Sequence, residues 1–252
     1  MKTIACYPLH YGLDYLAWSI RSVQDVVDEI HVFYTSEPSF GHGSGASNPD
    51  SHDALYDAAH RFANKQIHWH TIAARTEGQH RDMFLERARE RGADLVLAVD
   101  ADEVWDPKAA ETALRYAYDH RSQRWLARFS NFFRSWRWQV YDQFRPVRIH
   151  DVRSGASGDS YFDEVSQPEP VLHFGYAQSV ATVRYKWTCH GHQNELLPGW
   201  IDKFSTWNPE VTNLHPTSNG VWDRAYHTLP ERLEKLNELM PDHPHRDLEI
   251  IP

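Results

Sequence analysis

Short apolar runs alternate with helical periods over the first 105 residues, and that alternation constrains the fold of this chain more than any other feature. Residues 2–6 read as a strand, after which Leu13, Leu16, Ile20 and Val23 recur at helical spacing. Residues 29–34 and 66–71 read as further strands. Residues 53–64 and 79–91 read as helices, the second ended by Gly92, a residue suited to a helix stop. The run 94–99 is the fourth strand. Repeated β-α units predict an α/β fold of Rossmann-like type: a mainly parallel sheet with helices on both faces.

At 252 residues the chain can form one large domain with a substantial core. A hydrophobic content of 41% and ten tryptophans exclude a disordered chain. No apolar run approaches the roughly 20 residues that cross a bilayer, and the amino terminus has no basic segment followed by an apolar one. The expectation is a cytoplasmic protein without a membrane partner. Cys6 and Cys189 are the only cysteines, too few for a disulfide framework or a cysteine metal site.

The fourth strand runs directly into Asp100-Ala101-Asp102-Glu103. Open α/β sheets bind ligands at the carboxyl ends of their strands. Carboxylates held there suit a hard divalent cation, Mn²⁺ or Mg²⁺, shared with a phosphate. A helix cap or a surface salt bridge is the ordinary alternative for Asp100. The loop 36–49 is rich in Ser, Gly and Pro, and its length suggests a binding loop or lid.

After Trp105 the pattern changes. Residues 107–118 suggest a helix, and 124–133 with 139–149 suggest two long strands in an antiparallel pair. Residues 171–174 and 180–187 suggest further strands, and Thr228, Pro230 and Glu231 introduce a terminal helix. The expected organisation is a single domain with a donor-side half over 1–105, a smaller mixed acceptor-side half over 106–227, and a helix and tail over 228–252.

The opening strand with Ile4-Ala5-Cys6-Tyr7-Pro8, Arg81 on the helix before the fourth strand, and the run from Ala93 to Glu103 resemble a GT-A glycosyltransferase of the family 2 type. The resemblance covers roughly the first 105 residues. It implies a nucleotide-diphosphate sugar donor, a UDP-sugar, and a divalent metal. Pro8 borders the nucleoside in that reading, Asp100 approaches the ribose or the metal, Ala101 lines the donor, Asp102 binds the cation directly, and Arg81 approaches the diphosphate. A solvated helical arginine is the alternative for Arg81. The chain departs from the family after the second strand, where Thr35-Ser36-Glu37 replaces an Asp-rich turn.

Members of that family often complete the metal site with a downstream histidine. Seventeen histidines leave several candidates: His173 at the end of a short apolar strand, His215 before Pro216, and His190 with His192 on one side of an extended segment. A catalytic base for an inverting transfer comes from Asp163, Glu164, Glu195 or Asp202; by its spacing from the acidic motif, at the start of an expected helix ending near Phe204, Glu195 resembles the family's usual base.

Between Arg121 and Arg153 stand eight arginines against Asp142 and Asp151, a local net charge of +6 within a chain of −9. Trp125, Phe129, Phe132, Phe133, Trp136, Trp138, Tyr141 and Phe144 interleave with them. Guanidinium and aromatic groups together suit a nucleic-acid surface, which suggests as acceptor a hydroxyl-modified base in DNA, as in bacteriophage DNA glycosyltransferases. Core aromatics with solvated arginines are the alternative. A glycan acceptor, a nucleotidyltransferase and a non-catalytic binding module are the rival functions. The second of these expects a glycine-rich basic loop after the first strand, which Pro8-Leu9-His10-Tyr11-Gly12 does not supply.

Overall fold

A computed structural model describes residues 1–39, 45–73, 75–154, 162–166, 168–189 and 191–252. The chain divides into two compact units. The first comprises Met1–Gly41, Asp50–Phe129 and Phe144–Val171, and the second His42–Pro49, Ser130–Gln143 and Leu172–Pro252.

The β-α alternation expected of the amino-terminal half is present in the first unit. Strand β1 (Thr3–Leu9) leads to helix α1 (Leu13–Val23), β2 (Glu29–Tyr34), α2 (His52–His60), β3 (Ile67–Thr71), α3 (Glu77–Glu90) and β4 (Leu95–Ala98). A two-residue strand β5 (Glu103–Val104) and α4 (Pro107–His120) follow. Strands β6 (Arg124–Leu126), β9 (Val147–Asp151) and β10 (Phe162–Glu164) complete a seven-stranded sheet in the order β10-β6-β9-β4-β1-β2-β3. β4, β1, β2 and β3 run parallel, whereas β9 is antiparallel to both neighbours.

Period-2 alternation sends successive side chains of this sheet to two cores. Ala5, Tyr7, Val32, Leu95 and Leu97 pack with Leu16 and Ile20 of α1, Leu55 of α2 and Leu114 of α4. Ile4, Cys6, Phe33 and Val96 pack with Phe84 and Ala88 of α3 on the other face. Each helix begins where its sequence allows. Thr76 and Gln79 form a capping box for α3, Asp106 caps α4 ahead of Pro107, and Gly92 has φ +64° just past α3.

In the second unit β7 (Phe129–Phe133), β8 (Ser135–Val140), β11 (Val171–Tyr176) and β12 (Ala225–His227) lie in the order β12-β8-β7-β11. Helices α5 (Val180–Cys189), α6 (Trp200–Ser205) and α7 (Pro230–Leu239) accompany them. Phe133, Trp138, Trp187, Trp200, Phe204, Trp207 and Trp222 share one buried cluster. The indole N–H groups of Trp200 and Trp222 donate to Leu214 O and Asp142 Oδ2.

Three expectations for the carboxyl-terminal half need correction. The stretch 124–149 does not form two long strands. It breaks at Ala127-Arg128, at Arg134 (φ 60°) and after Val140, so β6 and β9 join the first sheet while β7 and β8 pair in the second. Residues 180–187 are helical: Val180, Val183 and Trp187 recur at i, i+3 and i+7, and Ser179 Oγ accepts from Thr182 N at the helix start. The terminal helix α7 has Pro230 at its first position, but Thr228 does not cap it.

Candidate active site

The acidic cluster follows the carboxyl end of β4, the middle strand of the seven, where the parallel strands meet antiparallel β9. Glu103 N donates to Asp100 O (3.1 Å), closing the chain into a tight turn. The turn is braced by α1, where Ser19 Oγ donates to Asp100 O (3.3 Å). It is also closely packed by the β1–α1 loop. A Cβ added to Gly12, whose φ is +123°, would stand 2.7 Å from Ala101 Cβ. Only glycine meets both requirements. Asp50 Oδ2 accepts from Gly12 N (2.7 Å) and Leu13 N (3.0 Å), placing a carboxylate at the amino end of α1. His10 Nδ1 lies 2.9 Å from Thr35 O, joining the ends of β1 and β2.

A cation from outside the motif organises these acids. Arg148 on β9 donates from Nε to Glu103 Oε1 (2.8 Å) and Oε2 (3.0 Å), and from Nη2 to Glu103 Oε1 and to Asp100 Oδ2 (2.6 Å). Its guanidinium carbon lies 5.2 Å from the Phe129 ring centroid. Glu103 is fully buried, whereas the Asp100 side chain is 44% exposed. Burial pushes the Glu103 carboxyl above its usual range, a tendency that Arg148 opposes and Asp100 and Asp102 reinforce. Burial disfavours the charged form of Arg148 too, but Asp100 and Glu103 outweigh it and hold the guanidinium firmly protonated. Glu103 therefore anchors Arg148 in the core, while Asp100 faces outward on the same cation.

Arg81 is exposed on α3. Burial, followed by the charges of Arg124, Arg81 and Arg148, lowers the His150 imidazole to about 4. Arg81 thus belongs to a cationic group acting on one buried side chain of β9. Pro8 lies within β1, paired with Phe33 of β2. At the end of β2, where the resemblance anticipated an acid, there is an aromatic cluster: Tyr34 stacks on Trp69 (5.5 Å) and meets His52 edge-on (4.9 Å).

His173, Glu195 and His215 belong to the second unit, and each is engaged locally. His173 Nδ1 lies 2.6 Å from Asn131 Oδ1. Glu195 sits in a 3-10 turn and not at the start of a helix ending near Phe204; its carboxylate meets His192 Nδ1 (2.8 Å) and Asn219 Nδ2 (3.0 Å). His215 Nδ1 accepts from Thr217 N (3.1 Å), and its ring occupies the space a side chain on Gly220 would fill. His192 precedes that 3-10 turn and is not on an extended strand. His190, the middle of the loop 36–49 and the side chain of Asp163 lie outside what the structure describes. Glu164 pairs with Arg145, and Asp202 lies in the first turn of α6.

The arginine and aromatic segment does not form a continuous stacking surface. Trp125, Phe132, Phe133, Trp136 and Trp138 are buried, leaving Tyr141 (66%) and Phe144 (70%) exposed. Arg145, Arg148, Arg153 and Arg137 pair with Glu164, Glu103, Asp151 and Glu249. Arg134 is buried over the Phe204 ring (4.6 Å), and desolvation lowers its pKa. Arg148 is the residue of the candidate site that sequence reasoning missed. It was visible only as one arginine in a basic run, and β-strand register brings it to acids 45 and 48 positions away.

No family model and no curated protein matches the chain. Among solved structures it is similar to S. aureus TarS 1-349 in complex with UDP-GlcNAc, at 13% identity and a TM-score of 0.43, covering 68% of this chain and 58% of that one. It is similar to glucosyl-3-phosphoglycerate synthase from Mycobacterium tuberculosis in complex with Mn²⁺, UDP and phosphoglyceric acid, at 13% identity and a TM-score of 0.35, covering 53% and 43%. It is also similar to a cytidylyltransferase from Leptospira borgpetersenii, at 10% identity and a TM-score of 0.41, covering 67% and 76%. The chain spans less than two thirds of the length of the TarS and synthase structures. Likeness at this level transfers no chemistry. Among the described residues, no helix is long and apolar enough to cross a membrane.

Proposed function

We propose that the chain is a metal-dependent glycosyltransferase that moves a sugar from a nucleotide-diphosphate donor, a UDP-sugar, to a hydroxyl acceptor. One observation carries the reading: two carboxylates, Asp100 and Asp102, stand in a braced turn at the carboxyl edge of a parallel sheet, with a fixed guanidinium beside them. Their hard oxygen donors fit Mn²⁺ or Mg²⁺, which takes one or two carboxylates and completes its shell with phosphate and water. When bound, such an ion stabilises the charge that develops on the departing diphosphate.

The chain's own residues account for the rest. Asp102 is the ligand, and Asp100, held by Arg148, orients toward the ribose or the ion. Arg81 and Arg124 add positive charge for the diphosphate. Pro8 and Ala101 line the donor. A glycan and hydroxyl-modified DNA are the two acceptors to be separated. The nucleic-acid reading now rests on exposed Tyr141 and Phe144.

The test is incubation with Mn²⁺ and a panel of nucleotide sugars while nucleoside diphosphate release is followed. Consumption of one donor by the wild type and none by Asp102→Ala supports the proposal. Absence of binding and turnover for every donor, with glycan and modified-DNA acceptors both present, rejects it. Failure of modified DNA to accept sugar when a saccharide succeeds, or DNA binding that barely changes with salt, removes the nucleic-acid acceptor.

A further inference from the structure

The opposite edge of the same sheet carries a polar cluster unrelated to the acidic turn. Glu29 and His31 are two apart on β2 and share a face. The parallel register sets His68 of β3 opposite His31 and His70 opposite Phe33, so all four polar side chains occupy the α3 side. His31 Nε2 lies 3.0 Å from Glu29 Oε2, and His68 Nε2 lies 3.9 Å from the same oxygen. His31 Nδ1 is 3.0 Å from His70 Nε2.

These distances approach a known coordination geometry. Potential ligand atoms of Glu29, His31 and His68 all lie within 4.8 Å of one another. Ligands on a tetrahedral ion, with bonds of about 2.0–2.1 Å, stand about 3.3 Å apart. Metal-bound imidazoles commonly hold their second nitrogen in a hydrogen bond that fixes the ring, and His70 occupies that position for His31.

We propose that Glu29, His31 and His68 form a second metal centre, which takes a divalent transition ion of the zinc class, with His70 orienting His31.

The surrounding charges narrow the choice of ion. Lys2 Nζ (2.9 Å) and Arg91 Nε (2.8 Å) already pair with Glu29. With the single carboxylate so countered, affinity must come from imidazole nitrogen. That favours Zn²⁺, Ni²⁺ or Cu²⁺ over Mg²⁺, Ca²⁺ or Mn²⁺. Binding also requires movement, because the His31 and His68 rings now stack 4.5 Å apart. The His68 side chain is 25% exposed and has room to turn, whereas His31 is buried.

The experiment is titration of the chelator-stripped, full-length protein with Co²⁺, followed by visible absorption, with Zn²⁺ as competitor. One equivalent with intense tetrahedral absorption is expected. His68→Gln and Glu29→Gln should each weaken it at least about tenfold, and His70→Gln about 10–100-fold, with circular dichroism reporting the fold of each variant. An Asp100→Asn/Asp102→Asn variant should retain it. A protein that takes up no Co²⁺, or whose tight equivalent survives in folded His68→Gln and His70→Gln, overturns the proposal. So does a tight equivalent that disappears in the double aspartate variant.

Discussion

The two edges of the first sheet solve opposite electrostatic problems. At the carboxyl edge, Asp100, Asp102 and Glu103 surround one arginine. At the amino edge, Lys2, Arg91 and two imidazoles surround one carboxylate, with His70 behind His31. An excess of carboxylate suits a hard cation that shares its shell with phosphate, and an excess of nitrogen suits an ion of the zinc class. On the two proposals above, the same scaffold would discriminate ions by the ligands its strand ends carry, without any change of fold.

The sharpest way to break this contrast is at Asp102. Asp102→Ala should lower donor turnover by about 10²–10³ or more, measured as nucleoside diphosphate release, if the carboxylate edge carries the transfer chemistry. Next in size is Arg148→Met, which leaves buried Glu103 without its counter-charge. It should cost about 3–5 kcal/mol in urea unfolding, and pairing it with Glu103→Leu should recover most of that loss.

A smaller effect concerns His150, whose imidazole is lowered to about 4 from an ordinary value of 6.5. Between those values the unfolded chain binds the proton more readily than the folded one, so stability rises with pH across this window. The contribution of His150 is complete above about 6.5 and is lost as pH falls through 4. In an NMR titration, Arg81→Gln should move the His150 midpoint upward. No movement would separate Arg81 from the cationic group. The mildest change is Lys2→Met at the other edge. It should alter stability by no more than about 1 kcal/mol, because the pair is partly exposed, yet tighten Co²⁺ several-fold by removing a competing cation.

What could be read from the chain depended on how far apart the partners stand. Asp100 and Asp102 are neighbours behind an apolar run, so their position at a strand end was legible, as was the parallel β-α order. Arg148 was not, because its partnership with Glu103 exists only once β9 lies antiparallel to β4. The amino-edge cluster left a fainter trace: Glu29-x-His31 and His68-x-His70 each show period 2, but only the β2–β3 register joins them. In the second unit, Val180 to Trp187 misled through its β-branched and aromatic residues, although its i, i+3, i+7 spacing was helical. The segment 124–149 hid its breaks because its aromatics are buried in either arrangement and Arg134 gives no glycine-like signal for its positive φ.

β3 is the outermost strand of its sheet, and its pairing with β2 sets His68 beside His31. A slip of one residue would carry both β3 histidines to the opposite side of the sheet, into the neighbourhood of Trp69's present aromatic partners. Ion uptake at this edge is therefore a chemical readout of strand alignment. A cobalt chromophore that develops during refolding would time the moment at which the last parallel strand locks into place.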